Sequence, residues 1–168
     1  MKALGLILLL FLVTACGSDQ KSEWISLDND FENMAYWSDG QGLVRDTAAS
    51  GRFSTYTDVS HPYTQTLGVT IKDLKRNNIK AILVSCKVMS IHNDPKAKLV
   101  VSLEKEGKNL LWQGVEIQQS MKETGTWADL RLRVDVRESL SDDVLLKVYG
   151  VNDGQRRVYW DDFTINFE

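Results

Sequence analysis

Along most of the chain, apolar and polar residues alternate with a period of two, which is the spacing of β-strands. Nine segments show this alternation: residues 24–32, 52–59, 63–71, 78–91, 99–107, 109–117, 126–137, 144–148 and 158–168. The helical spacing is weak everywhere, and only residues 71–76 suggest one helical turn. Many short strands separated by turn residues predict an all-β sandwich or barrel with about nine or ten antiparallel strands.

The segment at residues 78–91 is the most apolar of the nine. Such a strand is expected to lie centrally in its sheet and to be covered on both faces. Cys86 shares a face there with Val84 and Val88, so we expect a buried, unreactive thiol. Near the end of the chain, Asn-Asp-Gly at residues 152–154 predicts a tight hairpin into the last strand.

The last strand contains a carboxylate on its apolar side. By strict alternation, one face carries Tyr159, Asp161, Phe163, Ile165 and Phe167, and the other carries Trp160, Asp162, Thr164 and Asn166. A buried carboxylate costs several kcal/mol, roughly, unless it is paired or hydrogen-bonded. Asp161 is therefore expected to have a specific partner.

The first residues have the composition of a signal peptide. Lys2 precedes an apolar run at residues 4–13 that is too short to span a bilayer, and Val-Thr-Ala-Cys follows at residues 13–16. This ending resembles the bacterial lipobox, in which the cysteine is acylated; an ordinary secretory signal with a chance cysteine is the alternative. The resemblance implies a signal peptide at residues 1–15 and a covalent lipid on Cys16.

The same resemblance divides the chain and gives it a location. Residues 16–23 become the lipidated cysteine and a polar tether, and residues 24–168 form one domain. The expected location is the bacterial cell envelope, lipid-anchored. Gly17 after Cys16 is not the aspartate-type signal for retention in the inner membrane, so outer-membrane anchoring is expected.

Composition excludes several functions. The formal net charge is −3 and no basic cluster appears, which argues against nucleic acid as a partner. The two histidines, His61 and His92, have no metal-ligand spacing, and no nucleophile motif is present. We therefore expect a protein that is not an enzyme. With Cys16 lipidated, Cys86 has no disulfide partner within the chain.

Several short motifs, in their order along the chain, resemble the jelly-roll carbohydrate-binding modules, which are galactose-binding-like β-sandwiches. They are Asn-Asp-Phe-Glu at residues 29–32, Ser-Gly-Arg-Phe at 50–53, a strand that begins at Trp127, Leu-Leu-Lys-Val-Tyr at 145–149 and Val-Tyr-Trp-Asp-Asp-Phe at 158–163. The resemblance covers about residues 24–168 and implies a jelly-roll β-sandwich.

The resemblance also implies a structural calcium ion near the first and last strands. Carried over by position, Asp161 is the late ligand and Glu32 or Asp30 the early one, with backbone carbonyls and water completing the six to eight oxygen ligands that Ca²⁺ takes. The alternative is that Asp161 pairs with an arginine or accepts backbone N–H groups.

Modules of this kind stack sugar rings on aromatic side chains, so the resemblance also implies a candidate ligand-binding set. Tyr36 and Trp37 adjoin a glycine-rich loop, and Trp112 lies in a strand interrupted by Gly114. Trp127 is expected in the core, and core packing is open for each of the others. The predicted function is a membrane-anchored, non-catalytic lipoprotein that binds glycan at the cell envelope. The alternative is a structural lipoprotein that contacts another envelope protein.

Overall fold

The structure, a computed structural model, describes residues 26–32, 37, 42–45, 47–76, 78–154 and 156–168. Within these residues the chain forms ten strands, one short α-helix and one 3₁₀ turn at Ile117–Gln119. The strands are β1 (Leu27–Asn29), β2 (Leu43–Val44), β3 (Ser54–Thr57), β4 (Leu67–Thr70), β5 (Ala81–Met89), β6 (Ala97–Lys105), β7 (Lys108–Glu116), β8 (Ala128–Asp135), β9 (Leu145–Asn152) and β10 (Val158–Phe167). The helix α1 (Ile71–Leu74) confirms the predicted helical turn. No helix among the described residues has the length and apolarity needed to cross a membrane.

The strands form two antiparallel sheets. Sheet A has the order β2-β3-β10-β5-β8, with β1 also paired to β10, and sheet B has the order β4-β9-β6-β7. The side chains between the sheets form one apolar core, including Leu99 and Leu146 from sheet B and Trp160 and Phe163 from sheet A. This architecture confirms the predicted all-β jelly-roll sandwich.

The most apolar strand, β5, is central, as predicted. It pairs with β10 on one side and β8 on the other. Its inward side chains, including Cys86, are buried. On the outer face, Leu83, Ser85 and Lys87 are only half-buried, although residues 81 and 89 at its ends are buried. The prediction that both faces are covered is therefore wrong for the middle of the outer face. The buried Cys86 thiol is confirmed.

A bulge in β10 reverses the predicted faces of its first half. The register against β5 shifts between Asp161 and Thr164, and Asp162 has a φ of +48°. The inserted residue places Trp160 on the same buried side as Phe163, and Trp160 is fully buried. Strict alternation put Trp160 on the opposite face, and that prediction is wrong because a bulge breaks the period of two.

The predicted hairpin at residues 152–154 is also wrong. Strand β9 belongs to sheet B and β10 to sheet A, so this turn carries the chain from one sheet to the other. A tight hairpin does join β6 and β7, where Glu106 and Gly107 both have positive φ, at 51° and 74°. Two central residues with positive φ are typical of a type I′ turn, which matches the twist of the flanking strands.

Candidate functional site

The outer face of sheet B, which points away from the core, carries aromatic side chains on neighbouring strands. Trp112 lies on β7 and Tyr149 on β9, with β6 between them. Tyr63 precedes β4 and forms a bridge with Val151 of β9. Trp112 is 49% exposed and Tyr63 is 59% exposed. We call Tyr63, Trp112 and Tyr149 the aromatic platform.

The three side chains contact each other in a row. Nε1 of Trp112 donates a hydrogen bond to Oη of Tyr149 over 3.2 Å. The rings of Tyr149 and Tyr63 meet edge to face, with centroids 5.8 Å apart and an interplanar angle of 67°. The row therefore crosses the sheet from its β7 edge, over β6, to the segment before β4. Because the rings are tilted, it is not a flat surface.

The indole of Trp112 lies down on the sheet. Val100 of β6 is fully buried although it is outside the core cluster, so side chains of the outer face cover it. A Cβ built on Gly114 would lie 3.4 Å from Cη2 of Trp112 and 3.4 Å from Cγ2 of Val100. The edge of the indole thus lies over Gly114, while about half of the Trp112 side chain remains open to solvent. Glycine at 114 leaves room for this arrangement.

Polar groups surround the platform, and its lysines are paired. Lys147 Nζ lies 2.7 Å from a carboxylate oxygen of Glu104, and Ser102 Oγ donates to the other oxygen over 3.2 Å. Lys98 Nζ lies 3.8 Å from the carboxylate of Asp153. The face thus offers hydroxyl, ammonium and carboxylate groups without an excess of one sign of charge.

The predicted ligand-binding residues have different outcomes. Trp112 is exposed, as expected. The prediction that Trp37 is an exposed ligand-binding residue is wrong. Its side chain is only 8% exposed and packs edge to face against Phe163, with ring centroids 5.1 Å apart. Tyr36 lies outside the described residues. Trp127, expected in the core, is half-buried.

Sequence reasoning missed Tyr63 and Tyr149 as site residues. Tyr149 falls on the polar side of the alternation of β9, and that signal was available in the sequence. No local pattern marks Tyr63, because its neighbour Tyr149 is far along the chain.

The predicted metal ligands surround the loop between β2 and β3. Asp161 is fully buried; its Oδ2 accepts the backbone N–H of Ala49 over 2.7 Å and of Ser50 over 3.3 Å, and its Oδ1 accepts that of Asp162 over 2.8 Å. Glu32 Oε1 accepts the N–H groups of Arg52 and Phe53 over 2.5 and 2.8 Å. Two carboxylates therefore hold four backbone amides of one short loop.

The third predicted ligand acts on the turn before this loop. Oδ1 of Asp30 accepts the backbone N–H of Glu32 over 3.0 Å. Gly51, between the two clamped pairs of amides, has a φ of +59°, and a Cβ there would lie 2.7 Å from Oε1 of Glu32. The carboxylate of Glu32 thus packs closely against residue 51, whose backbone conformation only glycine adopts at low cost.

Burial raises the pKa of Asp161 to about 6, since burial outweighs the amides of Ala49, Asp162 and Ser50 that favour the charged form. The negative charge of Asp162 raises this pKa further.

A cation near Asp161 would stabilise its ionised carboxylate. Both Asp161 and Glu32 supply the oxygen ligands that Ca²⁺ prefers, and a carboxylate has about four lone pairs, so the amides do not use all of them. Among the described residues, however, no three acidic, histidine or cysteine side chains converge as a metal cluster. Backbone carbonyls and water would have to supply the other ligands, and the calcium site stays a prediction.

Comparison with solved structures places the fold among carbohydrate-binding modules. The chain is similar to the CBM22-1 xylan-binding domain from Paenibacillus barcinonensis Xyn10C, with 18% identity, 84% of this chain and 92% of that chain covered, and a TM-score of 0.54. The CBM22-2 xylan-binding domain of the same protein gives 14% identity, coverage of 86% and 99%, and a TM-score of 0.55. A family 16 carbohydrate-binding module gives 12% identity, coverage of 79% and 91%, and a TM-score of 0.52.

These likenesses define the class of fold, a carbohydrate-binding-module-like β-sandwich, and confirm the predicted resemblance. No family model and no curated protein matches the sequence. The three structures above are carbohydrate-binding modules, and their likeness to this chain is one of fold; that this chain is not an enzyme stays a prediction. In a Clostridium thermocellum xylanase 10B structure that combines such a module with a catalytic one, the match covers 28% of that chain.

Proposed function

We propose that this protein is a non-catalytic carbohydrate-binding lipoprotein, and that the aromatic platform is where the glycan binds. The observation that carries the proposal is the row of three exposed or half-exposed rings on the outer face of sheet B. The C–H faces of a sugar ring are apolar and pack against aromatic rings, while nearby polar groups hydrogen-bond to its hydroxyl groups. Lys147 and Glu104 supply such groups beside the platform.

A glycan array on the purified protein, followed by calorimetry on the best ligand, tests this proposal. Trp112→Ala removes one ring of the platform and should weaken binding about tenfold, which corresponds to about 1.4 kcal/mol. Leu110→Ala is the matched control, because Leu110 lies on the same strand and is 56% exposed, but is outside the platform. Absence of any bound glycan, or equal losses in the two variants, would refute the proposal.

The anchor and the location are further parts of the proposal. They are supported by the apolar run at residues 4–13 and by the cysteine that follows it. A lipid on Cys16 would hold the domain at the outer membrane of the bacterial cell envelope, through the tether of residues 16–23. Metabolic labelling with a radioactive fatty acid tests this point: the wild-type protein should be labelled and Cys16→Ser should not.

Calcium is a separate, structural part of the proposal. Asp161 and Glu32 would be its side-chain ligands, with Asp30 shaping the turn that presents Glu32 or joining them as a ligand. The ion would supply positive charge to two carboxylates that already clamp the same loop. A melting temperature unaffected by EDTA and by added calcium would remove the ion from the proposal.

One observation favours the alternative function, binding of another envelope protein. Strand β7 is paired only on its β6 side among the described residues, and such edges accept further strands. Beside it lies an open cleft of about 570 Å³ with a mixed lining, in which Leu103, Leu110 and Leu140 are apolar and Arg133, Asp135 and Arg137 are charged. Capture of one envelope protein by the wild type, abolished by Leu110→Lys but not by Trp112→Ala, would favour this function over glycan binding.

A further inference from the structure

The segment that carries Tyr63 to the platform begins with a closed turn. It follows β3 of sheet A and leads to β4 of sheet B. The backbone N–H of Asp58 donates to the carbonyl of His61 over 2.8 Å, and that of His61 donates to the carbonyl of Asp58 over 3.1 Å. Oδ1 of Asp58 also accepts the N–H groups of Ser60 and His61, over 2.9 and 3.0 Å. The side chain of Asp58 therefore closes the turn from inside.

Arg157 fastens this turn to sheet A. Its Nε and one terminal nitrogen donate to Oδ2 of Asp58 over 3.2 and 2.8 Å. Its guanidinium also lies 4.1 Å from the ring centroid of Tyr56, close enough for a cation–π contact. The Asp58 side chain is 14% exposed, the lowest value for a carboxylate in any ion pair of the described residues. Solvent therefore screens this carboxylate less than the carboxylates of the other pairs.

The far side of the turn is attached to the strand that bears Tyr149. The carbonyl of Pro62 accepts the N–H of Asn152 over 2.8 Å, and the N–H of Thr64 donates to the carbonyl of Gly150 over 2.9 Å. Tyr63 thus lies between two hydrogen bonds to β9, and its ring contacts Tyr149. The bond at Pro62 is the first after the turn, so it would fray if the turn opened.

We propose that Asp58 and Arg157 are positioning residues, which hold Tyr63 against Tyr149 before a ligand arrives and so set the affinity of the aromatic platform. The proposal rests on glycan binding at the platform. A segment that is already ordered loses less conformational entropy on binding, and affinity rises by that amount. Neither side chain belongs to the apolar core, so the pair can be removed without opening the sandwich.

Two measurements on Asp58→Ala test the proposal. An ion pair of this kind raises the equilibrium constant for closing the turn by a factor on the order of five. Amide hydrogen exchange at Asn152, whose N–H bonds to Pro62, should therefore become about fivefold faster. Affinity for the best oligosaccharide should fall by a similar, about fivefold, factor. Asp143→Asn is the control, because it removes an exposed pair with Lys105 at the end of β9 opposite to Asn152, and it should change neither value.

A double-mutant cycle with Tyr63→Ala separates positioning from a general loss of stability. If Asp58 acts through Tyr63, Asp58→Ala should cost no further affinity once Tyr63 is alanine. Additive losses, or unchanged exchange at Asn152, would overturn the proposal, and so would an equal effect of Asp143→Asn. If no glycan binds, or if Tyr63→Ala binds normally, the platform assignment itself fails. Exchange at Asn152 then still decides whether the pair holds the segment in place.

Discussion

Replacement of Asp161 by asparagine removes the one fully buried carboxylate among the described residues and tests how the closing strand is stabilised. Asp161 accepts three backbone N–H groups and has no arginine or lysine partner in the described part of the chain. Burial raises its pKa to about 6, above the ordinary 3.8. Asparagine keeps one oxygen acceptor and carries no charge at any pH.

The direction in which stability changes with pH follows from the raised pKa of Asp161. A raised pKa means that the folded state binds the proton more tightly than the unfolded chain does. The stabilisation from the protonated group is full below about pH 4 and is lost as the pH rises through about 6. The shift is worth about 3 kcal/mol, at about 1.4 kcal/mol per pKa unit. For a domain of this size, that corresponds to a fall in melting temperature of roughly 6 to 12 °C.

Thermal melts of the wild type and Asp161→Asn in EDTA, between pH 4 and 7, measure this effect. The difference between the two proteins cancels the contributions of the other carboxylates. These include Asp58: burial raises its pKa, but hydrogen bonds from Arg157, Ser60 and His61 outweigh burial and hold the pKa below its ordinary value. The wild type should lose stability relative to the variant as the pH rises. Calcium, if it binds, should remove that loss in the wild type alone. A difference in melting temperature that is constant with pH would refute the reasoning.

Three further predictions concern the core and its edges. Trp37→Ala should lower the free energy of unfolding by about 3 to 5 kcal/mol in denaturant titrations and leave the glycan affinity of the folded protein unchanged, because the side chain is buried. Gly150→Ala should cost about 1 to 3 kcal/mol by the same assay, since a Cβ there would lie 2.7 Å from Thr64 and 2.8 Å from the indole of Trp160. Burial raises the pKa of the Cys86 thiol, so a thiol reagent such as DTNB should modify it only when the protein is unfolded; rapid modification of the folded protein would contradict this.

Much of the fold could be predicted because strand alternation is a local property of the sequence. The apolar positions of β8, Leu130, Leu132 and Val134, are buried as their period of two requires. The helical turn at α1 was also visible, and there Thr70 caps the N-terminus by accepting the N–H of Asp73. Each of these features depends on residues within one short segment.

The site could be predicted only in part. Trp112 was recognised because its strand is interrupted by Gly114, but its hydrogen-bond partner Tyr149 lies 37 residues away. Trp37 was misplaced because a tryptophan beside a turn-rich segment has the same local sequence whether it faces solvent or the core. Here Phe31 and Phe163 surround it, and those contacts exist only in the folded chain.

The sequence by itself determined the class of the fold and the inward residues of long strands such as β5 and β8, because period-two patterning is a local property. Only the tertiary structure decided that Trp160 lies in the core, since one inserted residue at the bulge of β10 exchanges the two faces. It also decided what surrounds Asp161, through amides 111 and 112 residues away. Likewise it assembled Tyr63, Trp112 and Tyr149 on one face, because the pairing of strands across a sheet depends on contacts between distant segments.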